Sequence, residues 1–397
     1  MNINHLFELH ELAKDSVKKY QKKRFFYETL KKSTGKHFLG VVGPRGVGKT
    51  ILLRQYACDF ENSFYISLDS DEDIDLFELV KILINKYKIN SILLDEVHFL
   101  PKYEQVLKKI YDYLNIKVIF TSSVSLSLYE SLYDFSRRVK LYTLYPFSFR
   151  EYIYFIKDTI LPVLTIDQLL KNYSISQYLK YEYLFEPYLK GGIYPFNLEE
   201  PDVFPILSNI LDKILNRDIP SVTNLRYEEI QKIKKLVKYI GLAEVDNMNY
   251  SNISRNIGIT KYKAEQYVDL LKRSFILNPV FPTGTNVLKE PKILMFLPYR
   301  LLFNSYEMCV GPLREDFIVE SLQLADYSVN YLKSKRGEKT PDYLIDYKGK
   351  HIIIEVGGKG KGREQFKGFK AETKLVFSHD SYLSNDKYPL FLAGFFS

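Results

Sequence analysis

Over residues 1–150 the hydrophobic and polar positions follow a strand–helix rhythm. Apolar runs at Phe38 to Val42, Phe64 to Leu68, Ser91 to Leu94, Ile116 to Phe120 and Val139 to Leu144 have strand length, and the one ending at Leu94 is apolar enough to be buried on both faces. Between them, from Ile51, from Leu76 to Lys86 and from Tyr103 to Leu114, apolar residues recur at helical spacing. Such alternation predicts an α/β domain with a parallel sheet. Residues 151–225 read as helical. In 226–300 an amphipathic helix, Tyr227 to Ile240, precedes two shorter helical patterns and two apolar runs, Phe275 to Leu277 and Ile293 to Phe296. Residues 301–397 read as a helix, Arg314 to Leu324, followed by strands at Ser328 to Leu332, around Tyr343 to Asp346 and at His351 to Val356. At 397 residues the chain exceeds one ordinary core, so two or three domains are expected by length, and the patterns divide it into four segments with those bounds.

The composition, 46% hydrophobic and 26% charged, is that of a globular chain and excludes a disordered one. No run approaches a membrane span, and Glu8, His10 and Glu11 break up any signal-peptide core. Cys58 and Cys309 lie far apart without metal-ligand spacing. A soluble, cytoplasmic protein with reduced thiols and no membrane partner is expected. The net charge of +8 gathers partly at Lys18, Lys19, Lys22, Lys23 and Arg24, in a stretch that reads as helix: a solvated face, or a contact for an anionic partner.

The most specific chemistry sits where the first apolar run ends. Gly43-Pro44-Arg45-Gly46-Val47-Gly48-Lys49-Thr50 fits the G-x-x-x-x-G-K-[ST] pattern between a strand and a helix that continues through Ile51. Glycines let the backbone N–H groups turn inward around a phosphate, and the helix N-terminus adds partial positive charge. Lys49 would reach the β- and γ-phosphates of ATP, and the Thr50 hydroxyl would help hold Mg²⁺. The third apolar run ends in Asp95-Glu96. Asp95 would hold the metal through its water shell, and Glu96 would orient and activate the attacking water.

Two further features bear on hydrolysis. Thr121-Ser122-Ser123 ends the fourth run and also reads as a turn or helix-cap sequence. Arg137-Arg138 precedes the fifth, where an arginine would act in trans on a neighbour's nucleotide within a homo-oligomer, or simply pair with surface acids. Together with Leu94 to Pro101, Tyr145 to Glu151 and the Gly-Gly turn in Tyr188 to Pro195, these residues resemble the prokaryotic AAA-type ATPases. The resemblance runs from about residue 25 to 300 and more loosely to the end. It implies an AAA-type P-loop sheet followed by a helical lid, with Ser122 sensing the γ-phosphate and Arg138 as the finger.

Tyr250 to Thr260 and the helix Lys261 to Lys272 have helix-turn-helix texture, with Ser251 and Thr260 as expected N-caps and Gly258 closing the helix between them. The flanking apolar runs would supply the strands of a winged helix. The N-terminal residues of the second helix, Lys261 and Lys263 among them, would then meet double-stranded or branched DNA. The alternative is a helical subdomain that touches no nucleic acid.

The 301–397 segment resembles the PD-(D/E)xK nuclease-type fold that often follows the ATPase in this family. Asp342 and Glu355 match its two metal-binding acids, and Glu315 a helical one. The lysine position is Gly357, with Lys359 and Lys361 further along, so a degenerate nuclease is expected. The leading reading is an ATP-hydrolysing AAA-type machine coupled to DNA. The alternatives are an ATP-regulated nuclease and a nucleotide-switched interaction protein.

Overall fold

The five apolar runs of the first segment become five parallel strands. The computed structural model describes residues 3–69, 74–123, 137–171, 173, 175–245, 248–284, 290–332, 340–358, 373–379 and 387–397. It divides into two units, Met1–Pro146 and Phe147–Ser397. In the first, α1 (Ile3–Ser16) and α2 (Phe26–Lys32) precede β1 (Phe38–Val42), α3 (Lys49–Asp59) and β2 (Ser63–Ser67). Then come α4 (Leu76–Tyr87), β3 (Ser91–Asp95), α5 (Tyr103–Tyr113), β4 (Lys117–Ser122) and β5 (Val139–Thr143).

The strand order is β2-β3-β4-β1-β5, with every pairing parallel. Strands β1 and β3 are buried along their whole length, as strands covered on both faces must be. Phe38, Val42, Phe64, Ile92, Leu94 and Phe120 pack there with Leu79, Leu83, Leu107 and Ile110 of the helices. From β1 the chain crosses to the edge strand β2 and returns later to place β4 beside β1. A crevice therefore opens at the carboxyl ends of these strands, where an α/β sheet binds ligands. Helix α4 is capped by Asp75, whose carboxylate accepts the Glu78 amide. Asp71 and Asp73, acidic residues just ahead of this helix in the sequence, lie outside the described residues.

The basic run corrects one expectation: α1 ends at Ser16, and Lys18 to Arg24 is not helical. The physical reason is that this backbone is used elsewhere. Gln55 Nε2 on α3 donates to the carbonyls of Tyr20 (2.9 Å) and Lys22 (3.1 Å). Arg24 is buried and donates to Val47 O at 2.6 Å and Tyr145 O at 2.8 Å, so it lies under the phosphate loop and not on a solvated face.

The second unit opens with α6 (Phe149–Lys157), capped by Ser148 Oγ, which accepts the Glu151 amide at 3.2 Å. In the Gly-Gly turn, Gly191 has φ +125°, and a Cβ there would lie 2.2 Å from a Val203 methyl. Next come α7 (Phe204–Lys213), α8 (Tyr227–Leu242), α9 (Tyr250–Ile257) and α10 (Lys261–Arg273), then the antiparallel pair β6 (Leu277–Val280) and β7 (Lys292–Met295). Gly258 closes α9 at φ +69°, and Thr260 caps α10. Ser251 is not the cap of α9. Asn249 accepts the Asn252 amide at 2.9 Å instead, and Ser251 is held by the Glu290 carboxylate.

A long helix, α11 (Tyr306–Leu324), starts earlier than the sequence pattern suggested and runs through Pro312. Its tertiary contacts offset the lost backbone bond. Leu313, Phe317, Ile318 and Leu322 are buried, and Asp316 and Glu320 accept the amides of Met295 (3.0 Å) and Leu297 (3.1 Å). The last sheet, in the order β12-β11-β10-β9-β8, contains β8 (Val329–Tyr331), β9 (Tyr343–Tyr347), β10 (Lys350–Gly357), β11 (Thr373–Ser378) and β12 (Lys387–Pro389). Pairings from β8 to β10 are antiparallel, and those from β10 to β12 parallel. The N-terminal unit is thus a parallel α/β sheet with helices, and the second unit adds a helical region and a small mixed-sheet region.

Candidate active site

The loop from Gly43 to Thr50 leaves β1 at the centre of the crevice and closes around its own lysine. Lys49 is 5% exposed, and its ammonium donates to the carbonyls of Gly43 and Pro44, each at 2.8 Å. A buried cation needs such acceptors, and phosphate oxygens would be natural replacements for them. Gly46 (φ +82°) and Gly48 (φ +91°) hold left-handed conformations. At Gly43 the constraint is steric, since a Cβ there would lie 2.1 Å from Leu144 O. Val47 is fully buried, with its carbonyl clamped by Arg24, so Arg45 and Gly46 form the more open part of the loop.

Asp95, at the tip of β3, is 2% exposed. Its Oδ1 accepts from Thr121 Oγ1 at 2.5 Å and its Oδ2 from Tyr65 OH at 2.9 Å. Burial raises the Asp95 carboxyl above the usual carboxylate range, while hydrogen bonds from Thr121, Thr50 and Tyr65 pull the other way. Thr50 and Asp95 therefore share one small, oxygen-lined spot. That donor set fits Mg²⁺, which takes one or two protein oxygens and completes its shell with water and phosphate.

Glu96 has φ +54°, and its amide donates to Thr121 Oγ1 at 3.0 Å. Its Oε2 accepts the Ser123 amide at 2.8 Å and lies 3.3 Å from His98 Nδ1. Burial acts to raise its pKa, but Lys49, His98, the Ser123 amide and Arg45 outweigh it, so the carboxyl is held below its ordinary value. An ionised, inward-facing carboxylate beside the phosphate loop can accept a proton from water.

Ser122 lies at the tip of β4 with its hydroxyl 3.1 Å from His98 Nδ1. Arg138 sits at the opposite end of the sheet from Lys49: its carbonyl accepts the amide of Phe38, the first residue of β1. Its guanidinium pairs with Asp112 (3.1 and 3.3 Å). Within one chain, therefore, Arg138 does not meet the loop. Sequence reasoning missed Thr121, Tyr65, His98 and Arg24. Thr121 lay within the flagged Thr-Ser-Ser, where strand alternation would have put Thr121 and Ser123 on one face. The other three become visible only through tertiary contacts.

In the second unit Lys261 pairs with Glu290 and Lys263 with Glu229, at 2.6 and 2.7 Å. Tyr262, between them, is 68% exposed. Asp342 accepts the Val356 amide at 2.8 Å, and Glu355 is fully buried on β10. Glu315 is bound by Lys292 (2.5 Å) and the Tyr343 hydroxyl (2.6 Å). Among the described residues no group of three or more His, Cys, Asp or Glu side chains is placed to hold a metal. Lys359 and Lys361 lie outside the described residues. Also among the described residues, no helix is long and apolar enough to cross a membrane.

Comparison with known proteins bears on the family of the chain. The family described as AAA domain matches residues 35–153, and a domain of unknown function (DUF8612) matches residues 184–296. Solved structures similar to the chain include the Orc1 protein of Aeropyrum pernix in complex with DNA (13% identity, 78% of this chain, 94% of that one, TM-score 0.28). Another is the Thermotoga maritima RuvB Holliday junction branch migration motor (14% identity, 72% and 90%, TM-score 0.26). Both superpositions are too loose to carry an argument. A curated relative, the uncharacterized protein MJ1637 of Methanocaldococcus jannaschii, is 30% identical over 399 positions, covering 88% of this chain and 83% of the relative. The chain belongs to the family of that protein and carries an AAA domain with a P-loop NTPase fold in its N-terminal unit.

Proposed function

We propose that the protein is a cytoplasmic ATPase whose nucleotide cycle moves its helical and helix-turn-helix elements against DNA. The observation that carries the catalytic part is the convergence of Lys49, Thr50, Asp95 and Glu96 at the carboxyl ends of β1 and β3. Backbone amides of Gly43 to Gly48 and the ammonium of Lys49 bind and orient the phosphates, and Ile51 continues the helix whose N-terminus faces them. Thr50 and Asp95 hold Mg²⁺, which when bound neutralises phosphate charge. Glu96 takes a proton from the attacking water. Ser122 reports the loss of the terminal phosphate to the β4 tip. Arg138 serves a neighbouring copy, which requires a homo-oligomer and release of Arg138 from Asp112.

The load is read from the sequence of α8, α9, α10, β6 and β7: three helices and an antiparallel pair in winged-helix order, with the N-terminal turn of α10 exposed. Asp342 and Glu355 are proposed as remnants of a nuclease site. With Gly357 in the lysine position, cleavage is not the expected output. The pairing of Lys261 and Lys263 with glutamates of the same unit favours a second reading, in which this module binds protein and nucleotide acts as a switch. ATP turnover with Mg²⁺, measured alone and with double-stranded, single-stranded and branched DNA, separates the two. Stimulation by DNA supports the first reading. Slow turnover without DNA binding supports the second. Turnover that survives in Lys49→Ala contradicts both.

A further inference from the structure

The residue after Val97 makes a contact that the phosphate-loop chemistry does not require. His98 lies in a single helical turn, Val97–Phe99, directly after the acidic pair. Its Nδ1 is 3.1 Å from Ser122 Oγ and 3.3 Å from Glu96 Oε2. Both side chains are largely enclosed, at 11% exposure for His98 and 16% for Glu96. The ring packs against Phe99, with centroids 4.4 Å apart, which limits its rotation. The Ser123 amide donates to the same Oε2 at 2.8 Å. Thr121 bridges the Asp95 carboxylate and the Glu96 amide. Three consecutive residues at the β4 tip therefore reach the acidic pair: Thr121 and Ser123 directly, and Ser122 through His98.

We propose that His98 is a positioning residue that fixes the Glu96 carboxylate and ties it to the tip of β4. The proposal rests on Glu96 being the group that activates water. A bare Nδ1 lone pair facing a carboxylate would repel it, so the arrangement selects the ring form with the proton on Nδ1. That N–H is shared between Glu96 Oε2 and Ser122 Oγ. With Oε2 engaged by His98 and Ser123, Oε1 is the oxygen that would take the proton from the attacking water. Because β4 lies between β1 and β3, displacement of Ser122 shifts the ring and, with it, the carboxylate. His98 touches Glu96 and not the substrate, so its effect falls on the rate of hydrolysis and not on nucleotide affinity.

The test combines a ligand-free measurement with kinetics. Nitrogen NMR of the imidazole in the protein without nucleotide should show His98 protonated at Nδ1, and Ser122→Ala or Glu96→Gln should shift that signal. His98→Ala should lower kcat by about 10- to 100-fold, the scale of a misplaced catalytic group, with binding of a fluorescent ATP analogue unchanged. Asn places its amide nitrogen where Nδ1 lies and should restore part of the rate. Gln places its amide nitrogen nearer Nε2 and should not. A ring protonated only at Nε2, a kcat unaffected by His98→Ala, or Asn and Gln variants that behave alike would overturn the assignment. If Glu96→Gln itself leaves turnover intact, the reading of Glu96 fails. The NMR result still judges the His98 contact by itself.

Discussion

Two carboxylates on one helix face of the second unit show how far burial can move a side chain from its usual state. Asp316 is matched by Arg300, which is also buried, so its charge is compensated. Glu320, one turn on, receives a single amide on Oε2, its Oε1 is unpartnered, and burial pushes its pKa up to about 8 from 4.5. Between those two values the folded chain keeps a proton that the unfolded chain has released. The contribution of Glu320 to stability is therefore fully present below about pH 4.5 and declines as pH rises toward 8. Thermal unfolding followed from pH 5 to 8.5 should show that decline, and Glu320→Gln, which stays neutral, should flatten it; a Glu320→Gln profile as steep as wild type would contradict the assignment. Nothing in the sequence of α11 separates Glu320 from an exposed helical glutamate. The opposite holds for Lys49, Thr50, Asp95 and Glu96, which stand out as candidates in the sequence because the pattern they form depends on local spacing.

At the scale of elements, periodicity placed the parallel strands, since apolar runs of that length bounded by glycine and acidic residues have few alternatives. It misplaced the basic run, because Gln55 acts on it from outside its own segment and its last residue, Arg24, is drawn in to the Val47 carbonyl of the phosphate loop. It also misplaced the α9 cap, because Glu290 claims Ser251 from far along the chain. The phosphate loop joins both kinds of information. Its pattern is local, but Gly43 is required by Leu144 O, a contact made only when β5 lies beside β1. Gly43→Ala should therefore weaken ATP binding by more than about tenfold and destabilise the unit by about 1–3 kcal/mol, the usual cost of an overpacked site. Equilibrium titration and denaturant unfolding read the two effects, and an alanine variant that binds as wild type would show that the loop relaxes around the added methyl.

For the whole molecule, the N-terminal unit explains how nucleotide is handled, and the second unit holds the question of what that handling moves. If α10 enters a DNA groove, Lys261 and Lys263 must exchange Glu290 and Glu229 for phosphates, so their contribution is electrostatic and salt-dependent. Replacing both with alanine should lower DNA affinity uniformly across sequences and reduce the slope of log affinity against log salt by about 2. An unchanged slope would remove α10 from the interface. The central claim is narrower: Glu96 activates water at a site built by Lys49, Thr50 and Asp95. Its most direct test is single-turnover ATP hydrolysis by Glu96→Gln beside wild type, with bound nucleotide measured in the same samples. Undiminished ATP binding with turnover reduced by about 100- to 10,000-fold, the range for loss of a general base, is the predicted result. Turnover at the wild-type rate in Glu96→Gln would contradict it.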